Sequence, residues 1–435
     1  MKNGKLIMAV ALAAMLALVF TAMPDTSDRQ GEDAALGAGV PPAGYTFTIT
    51  KSGSTYSAAS AEGITITPGT LAGVIGQIDS GRESAVKKLI FGTGGATVSL
   101  GTDTAALTSG RYIIEGKVTS ASTDATIQLG YGAELFVAGT GTEITMTSSG
   151  HAIKNNHTGA VNVYGGAVSA TTGAAIYNNA AGGVVNVFGG AVSATTGAAI
   201  WNNAAGCVVN VSGGVVSATT GRAIWNNAAG GVVNVSGGVV SAPAGTAIDN
   251  TSTGTVNVSG GTVSATTGAA IRNASTTAVN VSGGVVSTTT GRAIDNTSTG
   301  AVNVSGGTVS ATEGQAIWNS AGVITISETS KSNPTRVTSA NTSPTSGTIH
   351  IFNTSGSVVI NGGKALNTAG GNIIYPSDAK VTATISNWST LDAPEGDGTG
   401  GGTSLILIIG IIAIVALAGF ALYWFVLRKK RSQER

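Results

Sequence analysis

Short runs of alternating apolar and polar residues recur through the middle of the chain. In the run Val209-Asn210-Val211, the two valines point to one side of an extended strand and the asparagine points to the other. The pair Gly213-Gly214 ends this run, and a Thr-Thr-Gly corner follows the next run, residues 215–217. The third run is Ala223-Ile224-Trp225-Asn226. Each unit therefore predicts three short strands that are separated by three corners.

The unit is repeated with a nearly constant length. Its Val-Asn-Val triplet begins at seven positions that are 23 or 24 residues apart: Val161, Val185, Val209, Val233, Val256, Val279 and Val302. A degenerate copy begins at Ile324, 22 residues after the seventh. One unit cannot bury its own valines, but stacked units bury one continuous column of Val and Ile. The pattern predicts an all-β fold, a single-stranded, right-handed parallel β-helix solenoid with three short strands per coil, and about 14 or 15 coils over residues 45–391.

Other repeat folds fit this pattern less well. A leucine-rich solenoid needs regularly spaced leucines, and residues 159–322 contain none. A propeller blade needs about 40 residues per repeat. In a β-helix, the inward column on one side would run from Val168 to Val309, and the column on another side would run from Ile176 to Ile317.

The two ends of the chain differ from the repeats. Lys2 and Lys5 precede the apolar residues 6–19, which is the layout of a secretory signal. Residues 405–427 are apolar and long enough to span a bilayer, and the basic cluster 428–431 after them marks the cytoplasmic side. These patterns predict a single-pass protein of the cell membrane, with the lipid bilayer as a partner, an extracellular repeat domain and a cytoplasmic C-terminus.

Eight segments follow from these boundaries. They are a signal peptide or signal anchor (1–23), a flexible lead-in (24–44), capping and irregular coils (45–158), regular β-helix repeats (159–326), degenerate C-terminal coils (327–391), a Gly-rich tether (392–404), the transmembrane helix (405–427) and the basic tail (428–435). Within the capping segment, apolar residues at positions 71, 74, 75 and 78 predict a short amphipathic helix over the first coil.

Charge and cysteine content exclude some classes of function. Charged residues make up 10% of the chain, against about 25% in ordinary soluble proteins. The net charge is +1, so no positive field would attract nucleic acid, and we expect no nucleic-acid partner. Cys207 is the only cysteine and takes the place of Gly183 and Gly231 in the adjacent units. It is interpreted as a tolerated substitution.

These features together resemble a known family. The repeat length, the VNVSGG and Gly-x-Ala-Ile-x-Asn runs, the signal and the single anchor are similar to those of pectate-lyase-like parallel β-helix adhesin-like surface proteins, which are microbial and especially methanogenic archaeal. The similarity covers residues 45–391 and is strongest over residues 152–326. It implies display on the cell surface and attachment to glycans or cell-envelope proteins. Some β-helix relatives cleave polysaccharides, so such an enzyme is the alternative, and a purely structural envelope component is a third hypothesis.

The acids of the repeats do not favour an enzyme. Residues 159–322 contain only Asp249, Asp295 and Glu313. The two aspartates share one column, two coils apart, with Arg272 between them. This arrangement favours a surface ion-pair stack over a catalytic carboxylate pair. We therefore predict no catalytic residue, no metal site and no cofactor.

One position of the repeat varies while the scaffold positions stay constant. The residue after the isoleucine points outward and forms the column Lys154, Tyr177, Trp201, Trp225, Asp249, Arg272, Asp295 and Trp318. Tyr164 and Phe188 lie on a neighbouring outward column. The aromatic residues either stack on each other and stabilise the solenoid, or form a strip that contacts sugar rings or a partner protein. The candidate ligand-binding residues are Tyr177, Trp201, Trp225, Tyr164 and Phe188.

The asparagines of the repeats allow two interpretations. Those of the Val-Asn-Val triplets recur even where Tyr164 or Phe188 destroys the glycosylation sequon, which predicts a ladder of amide hydrogen bonds from coil to coil. Sequons that fall in corners are better glycan acceptors. The predicted glycosylation sites are Asn250, Asn296 and Asn156.

Overall fold

The computed structural model describes residues 39–328, 334–353, 355–376 and 380–383. The predicted signal segment (1–23), tether (392–404), transmembrane helix (405–427) and basic tail (428–435) lie outside the described residues, as does the lead-in up to residue 38. In the described part of the chain, no helix has the length and apolar composition to cross a membrane.

The described chain folds into a parallel β-solenoid of about 12 turns, which confirms the predicted all-β β-helix. Each coil contributes three short strands, and each strand pairs in parallel with its equivalents in the coils before and after it. The register matches the sequence repeat, since Val185 pairs with Val209 and Ile200 pairs with Ile224. The predicted strand positions are therefore confirmed.

The first and second strands of the coils belong to one 24-stranded sheet. The first strands are Tyr45–Ser52, Val86–Phe91, Ala133–Val137, Ala160–Val163, Val184–Val187, Val208–Val211, Val232–Val235, Thr255–Val258, Val323–Ile326, Ser357–Ile360 and Lys380–Ala383. The second strands are Thr97–Ser99, Glu143–Met146, Ala167–Ala170, Ala191–Ala194, Val215–Ala218, Val239–Ala242, Thr262–Ala265, Arg336–Ser339 and Lys364–Asn367. Three long strands supply both positions: Gly110–Ser120, Val279–Thr288 and Val302–Ala311. Thr55–Ser60 completes this sheet as an antiparallel partner of the first strand.

The third strands form a separate 12-stranded sheet. They are Ala105–Leu107, Ala125–Leu129, His151–Asn155, Ile176–Asn178, Ala198–Asn202, Arg222–Asn226, Thr246–Asn250, Ile271–Asn273, Arg292–Asn296, Gln315–Asn319, Gly347–Ile351 and Asn372–Tyr375. Their outer surface carries the variable position of the repeat.

The core is a set of aliphatic columns along the solenoid. The valine column from Val168 to Val309 and the isoleucine column from Ile176 to Ile317 are completely buried, as predicted. Each such side chain contributes about 1.5–3 kcal/mol of hydrophobic stabilisation. The corner at Gly213 has no room for a side chain, because a Cβ atom there would lie 2.1 Å from the carbonyl oxygen of Phe188 in the preceding coil.

A hairpin and a helix precede the first complete coil. The strand Tyr45–Ser52 turns back antiparallel into Thr55–Ser60. The helix Leu71–Asp79 begins after Thr70, whose hydroxyl accepts a hydrogen bond from the backbone N–H of Gly73 at 3.2 Å. The predicted helix is confirmed, and its buried apolar face is Leu71, Val74, Ile75 and Ile78. It covers the apolar end of the column.

Asp79, the last residue of this helix, connects it to the first coils. Its carboxylate forms a 3.0 Å ion pair with the completely buried Lys87 and accepts hydrogen bonds from the hydroxyls of Tyr112, at 2.6 Å, and Thr108. The Lys87 ammonium also donates to the carbonyl oxygen of Ser109 at 3.0 Å. The buried ion pair of Asp79 and Lys87 is tolerated, because both charged groups form further hydrogen bonds. Burial and the hydrogen bond to Asp79 raise the pKa of Tyr112.

Candidate functional site

The variable column lies on the outer surface of the third sheet, as predicted. Lys154, Tyr177 and Trp201 pair in register, and the pairing continues through Trp225, Asp249, Arg272, Asp295 and Trp318. Two further residues extend the column beyond the regular repeats, namely His350 and Tyr375. Apart from Asp249, the members from Lys154 to Trp318 are half-buried.

The aromatic members of this column stack on each other. The ring centroids of Trp201 and Trp225 are 4.6 Å apart and their planes differ by 12°. The ring of Tyr177 lies 4.8 Å from Trp201, and His151 stacks on Tyr177 at 4.5 Å and 18°. At the other end, the guanidinium of Arg222 lies 4.4 Å from the Trp225 ring centroid. Trp201 therefore has an aromatic neighbour on each side along the column.

His151 and Arg222 were not among the predicted site residues. Each lies three residues before the outward residue of its own strand, and each closes one end of the stack. In each strand the two residues between them are both buried, Ala152-Ile153 and Ala223-Ile224, so the residues three apart both face outward. The Nε1 atom of Trp201 is buried and has no hydrogen-bond partner among the described residues.

A second stack lies on the outer surface of the first strands. Tyr164 and Phe188 stack at 4.6 Å and 23°, and Phe136 lies below Tyr164 at 6.4 Å and 19°. Phe188 is the most exposed of the three, with 44% of its surface accessible. Burial and the nearby Glu134 raise the pKa of Tyr164. The next residue in this column is a serine, Ser212, so no fourth ring follows.

The charged block of the variable column differs from the prediction. Asp249, Arg272 and Asp295 do share one column, but Asp249 is 2% exposed rather than on the surface. Its carboxylate accepts from Arg222 at 2.5 Å and from Arg272 at 3.1 Å. Asp295 pairs with Arg292 at 2.8 Å. The preceding coil supplies Arg222 and thereby covers Asp249, which the column alone did not indicate.

The predicted ladder of Val-Asn-Val asparagines is confirmed. From Asn186 to Asn303, each side-chain amide donates to the asparagine amide oxygen of the preceding coil at 2.8–2.9 Å. These asparagines lie on the outer surface, and those from Asn186 onward are half-buried. At one end, Asn162 donates to Glu134 at 3.1 Å.

A second asparagine ladder was not predicted and lies inside the solenoid. Its members end the third strands and are completely buried: Asn155, Asn178, Asn202, Asn226, Asn250, Asn273, Asn296 and Asn319. Successive amides are joined by hydrogen bonds of 2.6–3.0 Å. Each amide nitrogen also donates to a carbonyl oxygen of the following corner, for example Asn178 to Gly183 at 2.9 Å. The ladder thus satisfies polar groups that the corner would otherwise bury unpaired.

This ladder corrects the glycosylation prediction for two of its three sites. Asn250 and Asn296 were placed in corners, but both are completely buried and both are held by neighbouring amides. A folded chain cannot present them to a modifying enzyme. Asn156 is half-buried and remains a predicted acceptor.

Other reactive groups lie apart from the aromatic stacks. Cys207 is buried, its thiol lies 2.9 Å from the carbonyl oxygen of Ala180, and burial raises its pKa. Within the described ranges, no group of three or more His, Cys, Asp or Glu residues could hold a metal ion. A surface cavity of about 590 Å³ lies beside the N-terminal hairpin, where Lys51 and the hydroxyls of Thr50, Thr93 and Thr97 line it.

Comparison with known proteins gives no relative. No protein family, no curated protein and no solved structure matches this chain significantly. The class of protein therefore rests on the fold, which is that of a repetitive parallel β-solenoid. The fold agrees with the β-helix part of the resemblance, and the adhesin-like part belongs to the proposal below.

Proposed function

We propose that this chain is an adhesin-like surface protein that attaches its cell to glycans or to partner proteins of another envelope. The predicted segment 405–427 would anchor it in the cell membrane as a single pass, with the solenoid outside. The regular coils supply a stiff scaffold whose outward positions vary freely. Attachment proteins use such positions for contact, since they do not disturb packing.

The observation that carries this proposal is the clustering of aromatic residues on outward positions of neighbouring coils. The two stacks lie within four neighbouring coils and include Phe188, which is 44% exposed. No Asp, Glu, Lys or Arg occurs in residues 155–221, which contain most of both stacks. A neutral surface with exposed aromatic rings loses little hydration energy on contact, and such patches mark interaction sites.

Binding of the purified full-length chain to a glycan array and to isolated cell envelopes tests the proposal. We expect saturable binding that a variant with serine at Tyr164, Tyr177, Phe188, Trp201 and Trp225 loses. Replacement of Trp318, an outward aromatic residue distant from both stacks, is the matched control and should preserve binding. A chain that binds neither glycans nor envelopes would be a structural envelope component instead.

The membrane orientation is tested separately on intact cells. Protease added from outside should remove the solenoid and leave the anchor with residues 428–435. Cleavage of the tail with protection of the solenoid would contradict the proposed display.

The ion pairs of the charged block argue against the polysaccharide-active alternative. Asp249 is shared between Arg222 and Arg272, so its carboxylate is already engaged and its oxygens face guanidinium groups. Asp295 is paired with Arg292. Release of reducing ends from a polysaccharide by the full-length chain would nevertheless establish an enzyme.

A further inference from the structure

The stack of Phe136, Tyr164 and Phe188 ends at a step. Tyr164 and Phe188 belong to adjacent coils and stack nearly face to face, so the ring normals run roughly along the solenoid. One face of Phe188 is covered by Tyr164. The other face looks toward the next coil, where the equivalent residue is the exposed Ser212. The uncovered face of the Phe188 ring and the shorter Ser212 side chain beside it therefore form a step on the surface, and Ser212 is the floor of this step.

We propose that this step binds a neutral pyranose ring, with the apolar C–H face of the sugar against Phe188 and its hydroxyls toward the floor. The inference rests on the proposed attachment function and assigns its ligand class and its contact residue. Phe188 supplies the aromatic face that sugar C–H groups pack against. Val215, which is 36% exposed, flanks the floor beyond the glycine corner.

Polar groups for the sugar hydroxyls lie beside the floor. Asn210 precedes Ser212 by two residues, so its side chain faces the same way along the strand. In the outer ladder, Asn210 donates one hydrogen bond to Asn186 and accepts one from Asn234. A carboxamide has two N–H groups and two oxygen lone pairs. Within the described ranges, Asn210 therefore retains one donor and one acceptor, which suits a hydroxyl pair.

The charge around the step selects a neutral ligand. Residues 155–221 contain no ionisable acid or base other than Tyr, Cys and His side chains. The closest described acid below the stack is Glu134, which lies near Tyr164 and would repel an anionic sugar. Among the described residues, no cation lies at the step to bind a carboxylate or sulfate, so uronic acids and sulfated sugars fit poorly.

The Trp201 stack does not offer the same contact. Trp225 covers one face of Trp201 at 4.6 Å, and Tyr177 lies over the other at 4.8 Å. Arg222 covers the outer face of Trp225. These rings present their edges to solvent, so a sugar cannot lie flat on them.

Calorimetric titration of the full-length chain with neutral gluco-, galacto- and mannohexaoses tests the inference, and oligogalacturonate is the charged comparator. Removal of Phe188 alone would uncover Tyr164 and move the step by one coil. The decisive variant is therefore Tyr164→Ser with Phe188→Ser, which continues the serine column of Ser212, Ser236 and Ser259. Trp318→Ser is the matched control, because Trp318 is an outward aromatic residue outside both stacks. Trp201→Ser with Trp225→Ser reports on the other stack, and Phe188→Tyr is the conservative variant.

We expect at least one neutral hexaose to bind, and its affinity to fall about tenfold in the Tyr164→Ser/Phe188→Ser variant, since one aromatic contact contributes up to about 1.5 kcal/mol. Trp318→Ser and Phe188→Tyr should bind like the parent, and the unfolding midpoints of the variants are measured alongside. Loss of saccharide binding in the Trp201→Ser/Trp225→Ser variant alone, or tighter binding of oligogalacturonate, overturns the inference and leaves attachment standing. Adhesion to envelope proteins without saccharide binding also overturns the inference, while the proposed attachment function stands. A chain without any adhesion removes both proposals.

Discussion

The side-chain amide of Asn202 donates a 2.8 Å hydrogen bond to the amide oxygen of Asn226 in the next coil, and both residues are completely buried. Asn226 in turn donates to Asn250 at 2.8 Å. Water cannot replace either bond. Every member of the inner ladder between its ends, Asn155 and Asn319, is therefore coupled to two neighbours, and the solenoid depends on an unbroken polar column within its aliphatic core.

We expect Asn226→Ala to lower the free energy of unfolding by about 3 kcal/mol, because it leaves the Asn202 donor and the Asn250 acceptor without these partners. Asn234→Ala is the matched control in the outer ladder. Asn234 is half-buried, and water can replace its bonds, so its loss should cost about 1 kcal/mol or less. Urea denaturation of both variants measures the difference. An equal loss of unfolding free energy in the two variants would show that the buried ladder contributes no more to stability than the outer ladder.

The same burial predicts the glycosylation pattern. Peptide mass spectrometry of the protein from its natural host should find Asn250 and Asn296 unmodified, because both are completely buried in the ladder. If the chain is glycosylated, Asn156 should carry a glycan, since it is half-buried and lies outside both ladders. A glycan on Asn250 in folded protein would contradict the structure.

The alternation of residues was sufficient to predict most of the fold. Valine and isoleucine positions gave the three strands and the inward columns, because a one-residue shift would expose all of them. The outer asparagines were also predictable, since they alternate with buried valines. About 12 turns form instead of 14 or 15. The hairpin and the helix use the first residues, and the coil from Val323 to Ser357 is longer than a regular repeat.

The inner ladder was missed although the pattern contained it. Asn226 follows the inward Ile224 by two residues and therefore shares its face. A polar residue next to a corner was instead assigned to the corner. The burial of Asp249 could not be predicted in the same way, because Arg222 reaches it from the preceding coil and belongs to another column. The repeat pattern shows which residues share a column, but it does not show which side chains of different columns contact each other.

The two aspartates of the charged block should differ in their effect on stability. Asp249→Asn removes the charge that two guanidinium groups share in a site with 2% exposure, so we expect a cost of about 1–3 kcal/mol. Asp295→Asn removes one half-exposed pair with Arg292 and should cost less than about 1 kcal/mol. Thermal unfolding of each variant tests this order. Similar stability losses in the two variants would mean that solvent around the partly exposed arginines offsets the effect of burying Asp249.

Histidine protonation should destabilise the fold as the pH falls. Burial, and next the nearby Lys154, lower the pKa of His151, whose Nδ1 accepts a hydrogen bond from the backbone N–H of Ala174. Burial and Arg292 lower the pKa of His350 in the same direction. A lowered folded-state pKa means that stability is present above the unfolded value of about 6.5 and is lost as the pH falls below it.

We therefore expect the unfolding midpoint in urea to decrease between about pH 7 and pH 5. Asp124, which lies near His151, opposes the effect of Lys154 and limits its size. His151→Gln with His350→Gln should flatten this dependence, whereas His157→Gln, at the edge of the Tyr131 ring, is the control. An unchanged pH profile in the double variant would assign the dependence to carboxylates instead.

The position of Trp201 in the middle of its stack predicts how the stack stabilises the solenoid. Trp201→Ala removes ring contacts to both Tyr177 and Trp225, each worth about 0.5–1.5 kcal/mol, so we expect a loss of about 1–3 kcal/mol. Trp201→Phe should cost much less, because it retains a ring and removes an indole N–H that is buried without a partner among the described residues. Phe188→Ser, which removes one contact at an exposed end, should fall between them. If Trp201→Ala unfolds at the same urea concentration as the parent chain, the rings of this stack contribute little to stability, and their clustering on the variable column favours contact with a partner.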